Sequence, residues 1–304
     1  MSDYDCNVRV IPPVDIWDDN LGSSNVAEDE YPIYDSGTTY IKDDRVIVTT
    51  GVHKIYKSST TQTGAYPPDN LASWIDEGNT NRFKMFDDGV ASKTINADSI
   101  VVVITPDILF NALVLMEVAA KTVTVSCNSA TSGLIYTKTI DMVDYTDITD
   151  WYQYFYNGFG RSSTLVLTDL PAYSDMTITV TIENTVGDAE CGVFALGRQN
   201  VIGEELYGTK IGIIDYSVKT TNDEGVTSVT EGAFSKRADF SLAIENNKVD
   251  STQRLLAANR AIPVIYAAGN KYNSNVILGY YKDFDITIST PAFAECSLSI
   301  EGLI

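Results

Sequence analysis

Polar and apolar positions alternate with a period of two over much of this chain. In MTITVTIENT (176–185), Met176, Ile178, Val180 and Ile182 share one face and threonines occupy the other, which is the pattern of a half-buried strand. Short apolar or alternating runs recur at 100–105, 122–127, 133–140, 238–244 and 283–289, separated by clusters of Asn, Asp, Gly and Ser. They predict a mainly β protein. One stretch departs from the pattern: DSTQRLLAANRAIP (250–263) offers Asp250 or Ser251 as an N-cap, then good helix formers, then Pro263 as a stop. The predicted order is a small N-terminal β module over 1–75, a β-sandwich over 76–195, and a β-sheet with one helix over 196–304. A division of this kind suits a chain of 304 residues, because single cores stop growing at about 250–300 residues.

Composition narrows the partners more than the fold. With 44% apolar and 20% charged residues the chain has the make-up of a folded globular protein. Its 41 acids against 21 bases give a net charge of −20, which repels phosphate backbones and argues against sequence-specific nucleic-acid binding. The four cysteines, Cys6, Cys127, Cys191 and Cys296, lie far apart and form no CxxC pair, so they predict reduced thiols and neither a zinc site nor a disulfide scaffold. The opening MSDYDCNVRVIPP lacks the basic and apolar segments of a secretory signal, and no run approaches the roughly 18 apolar residues of a membrane span. A protein made in a cytoplasm, with no membrane partner, is expected.

Candidate chemistry is sparse. The single histidine, His53, sits in VTTGVHKIYK with no serine or cysteine nucleophile motif nearby, which predicts a surface or core side chain. The glycines of VIGEELYGTKIG lack the spacing of a phosphate cradle, and no carboxylate pair is singled out by context. No catalytic residue, metal ligand or cofactor is therefore assigned. In WIDEGNTNRFKMFDDG (74–89), Arg82 lies among Trp74, Phe83 and Phe86. It is expected to stack on a ring or to fork onto Asp76, Glu77 or Asp87, so that Arg82, Phe86 and Asp87 form a joint between the first and second regions. FDDG predicts a turn with Gly89 at positive φ. DWYQYFYNGFG (150–160), with aromatic rings on both faces, predicts a strand that is central in the sandwich, lies at an interface with another chain, or binds sugar. Beyond LYGTKIGIIDYS, a long polar hairpin arm turning at TNDEG is expected to reach a neighbouring copy and extend its sheet.

Three resemblances rest on quoted residues. Tyr34, Gly37 with Tyr40, Asp44-Arg45-Val46, Tyr56, Pro67 or Pro68 and Trp74 resemble the small carbohydrate-binding modules attached to chitinases. That likeness implies that Trp74, Tyr56 and Tyr40 either stack on a sugar or form the core of a small β module. The segment from NRFKMFDDG into VASKTINADSIVVVITP resembles the entry of a galactose-binding-like sandwich, in which such a turn can hold calcium; two acids favour a plain turn. Together, WIDEGNTNRFKMFDD, DWYQYFY, LVLTDLPAY, LYGTKIGIIDYS, AFSKRADFSLAI and YYKDFDITIS with CSLSIEGL resemble a family of tailed-bacteriophage virion proteins over about residues 30–304. The resemblance implies a non-enzymatic structural component of the virion tail, with a tail-tube-like C-terminal unit, assembled as a homo-oligomer beside other tail proteins. A carbohydrate-binding role in host recognition, with a host surface glycan as partner, is the alternative.

Overall fold

The computed structural model describes residues 5–304 apart from 107, 145–147, 157–159, 224, 270 and 271. The protein is mainly β, with several sheets and little helix. It forms two compact units. One comprises residues 1–13, 110–112 and 196–304, and the other 14–109 and 113–195. The region expected as a small module and the region expected as a sandwich thus fall largely in one unit, while Asn7–Ile11 joins the C-terminal sheet.

Each alternating run coincides with a strand over most of its length. Met176–Cys191 runs antiparallel to both Thr94–Ile104 and Thr122–Ser129, in a five-stranded sheet completed by Gly133–Asp141 and Leu21–Ser24. The register places Val125 opposite Val180, and Val180 opposite Val102. These residues belong to a fully buried row, whereas the facing threonines Thr124, Thr179 and Thr181 keep contact with solvent. Leu165–Leu167, Ala112–Met116 and Val193–Gly197 form a second sheet, in which Ala112–Met116 is buried throughout. This is the continuous apolar run of a strand covered on both faces. The small sheet of Arg45–Val48, Lys54–Ser58 and Trp74–Asn79 stands apart from both.

The other unit holds a closed ring of strands. Asn200–Glu205 pairs with Asn7–Ile11, which pairs with Val264–Ala268, then Val276–Thr287, Phe293–Gly302 and Phe234–Glu245 follow in turn. The ring closes where Glu204 and Glu205 meet Ala243 and Leu242. Closure leaves these six strands without a free edge. Val8, Val10, Phe240, Leu242, Tyr266, Leu298 and Ile300 fill the interior, joined by Leu256 from the helix. Lys210–Asp215 adds a seventh strand, paired to Phe234–Asp239.

The predicted helix is present as Val249–Ala258, one turn shorter than its sequence pattern. Its N-cap is Lys248, preceded by a short 3-10 turn, and it ends at Asn259. The Asn259 backbone N–H and side-chain amide both donate to the Leu255 carbonyl and so terminate the helix before Pro263. At the barrel rim, Gly279 lies opposite Gly302, and a Cβ at 279 would collide with the Glu301 carbonyl oxygen and approach the Gly302 Cα at 2.7 Å. Gly279→Ala is expected to lose about 1–3 kcal/mol of stability by overpacking, measured by urea unfolding.

The four thiols are free. Burial pushes Cys127 up to about 11, Cys191 up to about 12 and Cys296 up to about 11. Because the thiolate is the reactive form, native protein is expected to react with iodoacetamide at Cys6 alone at neutral pH, and at all four cysteines once unfolded. Peptide mass spectrometry of native and urea-treated samples reads the difference.

Candidate functional site

The three rings proposed for sugar contact occupy the interior of the small module. Trp74 is 0% exposed, and Tyr56 and Tyr40 are buried with it against Val46 and Val48. Tyr40 meets Trp74 edge-on at 5.3 Å, Tyr34 meets it at 6.1 Å, and the indole Nε1 donates to the Ala65 carbonyl at 2.8 Å. A sugar needs an open ring face, so of the two readings of Trp74, Tyr56 and Tyr40 the geometry supports the core, and the platform is corrected.

Of the three residues expected to form the joint, Arg82 alone reaches the first region, and through partners other than those expected. Arg82 reaches Glu28, with Nη1 3.0 Å from Oε2, and its Nε donates to the Val26 carbonyl at 2.8 Å. The acids expected to receive it are engaged elsewhere: Glu77 takes a fork from Arg45 at 2.6 and 3.1 Å, and Asp76 takes Lys54. Nothing in the local sequence marks Glu28, which lies more than fifty residues before Arg82. Phe86 packs edge-on against Phe83 and Phe194. Asp87 is pushed upward by burial, although its Oδ1 accepts the Gly89 N–H at 2.8 Å. That bond closes the turn through the aspartate side chain, so Gly89 does not need the positive φ expected of it and does not adopt one. Among the described residues, no group of three or more His, Cys, Asp or Glu side chains could hold a metal ion.

Arg82 belongs to a cluster that sequence spacing does not reveal. His53 is buried, with its ring stacked on Phe83 at 3.9 Å. Its Nε2 lies 2.7 Å from Asp18 Oδ1 and its Nδ1 2.8 Å from Glu28 Oε1. Glu28 is itself buried and also accepts from the Thr80 hydroxyl at 2.6 Å. Carboxylate oxygens only accept, so both contacts are hydrogen bonds when both ring nitrogens carry a proton. The four charges of Asp18, Glu28, His53 and Arg82 then sum to zero. The cluster ties together the 17–21 turn, the 26–30 segment, the 51–54 corner and the 80–83 turn.

The hydrogen bond from His53 is the main cause that holds Asp18 below the usual carboxylate range. A carboxylate depressed in the folded state contributes stability above its unfolded value, about 3.9. That contribution fades as pH falls through the lower folded value. Acid unfolding of Asp18→Asn, followed by circular dichroism, is expected to show a shallower loss of stability below about pH 4 than the native chain.

Two exposed features stand away from this cluster. Residues 151–156 form a short helix, where a strand was expected; the last part of that predicted strand, 157–159, lies outside the described residues. Helical spacing brings Trp151 over Phe155, with rings 6.2 Å apart and 25° from parallel, and Tyr152 beside Tyr156 at 4.8 Å. Gln153 and Asp150 hold the first turn: the Thr149 N–H and hydroxyl donate to Gln153 Oε1, and the Gln153 N–H donates to Asp150 Oδ1. The rings are open to solvent, Trp151 at 76%. In the barrel unit, Val218–Thr221 and Thr227–Thr230 form the expected hairpin arm, exposed along both strands. Glu224 of its turn lies outside the described residues.

No family model and no curated protein matches this sequence. Among solved structures, the chain is similar to a selenomethionine-labelled mutant of chitosan-binding module 1, derived from a chitosanase/glucanase of Paenibacillus sp. IK-5. The match has 11% identity and a TM-score of 0.25, and it covers 38% of this chain and 83% of that one. A likeness at that level carries no weight for fold or function.

Proposed function

We propose that this chain is a non-enzymatic structural subunit of a tailed-bacteriophage virion, present in several copies and joined through its barrel unit. The observation that carries the reading is the seventh strand with its arm. Lys210–Asp215 pairs on one side with Phe234–Asp239, and no strand among the described residues pairs with its other side. Ile211, Ile213, Val218, Val226, Val229 and Phe234 are exposed along this strand and the arm. An uncovered strand edge with apolar side chains is a template for another chain, and soluble proteins guard against it unless it is used. The virion assignment rests on the sequence resemblance, and the partners it implies are further copies and other tail proteins.

Mass photometry of the purified protein, with negative-stain microscopy of phage particles, tests this. Closed oligomers, and labelling of the particle tail by an antibody to this chain, are expected. A protein that stays monomeric at micromolar concentration and is absent from particles would overturn the reading.

Carbohydrate recognition is the second reading, and one observation favours it: the uncovered rings of 151–156. Flat rings pack against the apolar faces of sugars, and a good ring contact is worth about 0.5–1.5 kcal/mol. Trp151→Ala is then expected to weaken binding on a host-glycan array by about tenfold, one step of 1.4 kcal/mol. Native protein that binds no glycan would remove this reading.

A further inference from the structure

We propose that His53 is a proton-controlled latch that fastens the turn at residues 15–20 when protonated and releases its tip when the proton leaves. The turn is built to move as a piece. The Trp17 N–H donates to Asn20 Oδ1, the Asn20 side chain donates to the Asp15 carbonyl, and the Asn20 and Leu21 N–H groups donate to the Trp17 carbonyl. These bonds lie within the turn, so it opens as a unit, and once the tip loses its outside anchors they break and exchange with solvent more often. Its base is anchored separately, by the Thr105 N–H donating to the Asn20 carbonyl at 2.8 Å. The Ile16 side chain, buried beneath the turn, stays with the base, and the tip itself is held by Asp18 on His53 Nε2, the Gly51 N–H on Asp18 Oδ2 at 3.4 Å, and Trp17 stacked on Phe83 at 6.1 Å.

The charged groups facing the imidazole are Asp18 from the turn, Glu28 from the next segment and Arg82, which reaches it through Glu28. Phe83 covers one ring face, and Thr80 and Gly51 add neutral donors to the two carboxylates. Loss of one proton leaves a nitrogen lone pair facing a carboxylate oxygen at under 3 Å, and one contact must open. The two sides are unequal. Glu28 is buried and fixed by Arg82 and Thr80, whereas the Asp18 side chain is 53% exposed and can turn to water. The remaining proton therefore stays on Nδ1 toward Glu28, and Asp18 leaves Nε2. Trp17 departs with it and uncovers a face of Phe83, which is buried when the latch is shut.

His53 is the only histidine, so its ring resonances in NMR report one group without overlap. The test follows those resonances from about pH 5 to about pH 9 and compares hydrogen exchange of peptides spanning 14–21 with the central strand Thr122–Ser129 as internal reference. Protection of the turn, normalised to that strand, is expected to drop about tenfold at the pH where the ring loses its proton, with the Nδ1–H tautomer remaining. Asp18→Asn supplies an amide that can donate to the neutral ring, and it is expected to abolish the step while the exposed position keeps the variant folded. A turn whose protection does not change as the ring titrates would overturn the proposal. So would a ring that keeps its proton throughout, or a step that persists in Asp18→Asn.

Discussion

Trp74→Ala is expected to cost about 3–5 kcal/mol and to unravel the small module before the rest of its unit. The indole is wholly enclosed, wedged edge-on between Tyr34 and Tyr40, and its N–H is bound to the Ala65 carbonyl. Truncation removes the ring from a cluster whose buried members are only Tyr40, Val46, Val48, Tyr56 and Trp74, and it leaves the Ala65 carbonyl without its donor. Such a small cluster has few neighbours able to relax into the gap, so the cavity cost is added to the lost burial. Urea unfolding should show a lower midpoint, and hydrogen exchange should show early opening of Arg45–Val48 and Lys54–Ser58. A loss under about 1 kcal/mol would mean that the ring is not a core element, and it would return Trp74 to the list of ligand-binding candidates.

Periodicity carried the strands because the buried partner of each apolar residue is another residue of the same period across the sheet, as with Val125, Val180 and Val102. It could not show that Asn7–Ile11 lies between Asn200–Glu205 and Val264–Ala268, since pairing over such separations leaves no local mark. The aromatic stretch at 151–156 misled for a related reason. Rings alternating along a strand and rings repeating every fourth residue along a helix occur together when nearly every position is aromatic. The Trp74, Tyr56 and Tyr40 pattern was legible as a group of flat rings, but sequence could not separate a stacked core from an open platform, because both require the same residues. The His53 cluster was not legible at all. Asp18, Glu28, His53 and Arg82 come from four separate turns, and nothing near any one of them names the other three.

Glu28→Ala is expected to lose about 3–5 kcal/mol, far more than removal of a surface acid with equally good geometry. Glu77 supplies the comparison: it receives a two-pronged bond from Arg45, yet both side chains reach water, so Glu77→Ala should cost about 0–1 kcal/mol. Glu28 is buried, and its removal strands His53 and Thr80, which water does not easily reach, while the more open Arg82 can turn to solvent. His53 Nδ1 loses its acceptor, Arg82 keeps only the Val26 carbonyl, and the Thr80 hydroxyl loses its partner. The penalty comes chiefly from those orphaned donors, so Glu28→Gln, which keeps an acceptor oxygen, should recover part of it. Thermal unfolding of the three variants should rank Glu77→Ala nearest the native chain, Glu28→Gln between, and Glu28→Ala lowest. An equal cost for Glu28→Ala and Glu77→Ala would show that the cluster is solvated, and that Glu28 does not hold the four turns together.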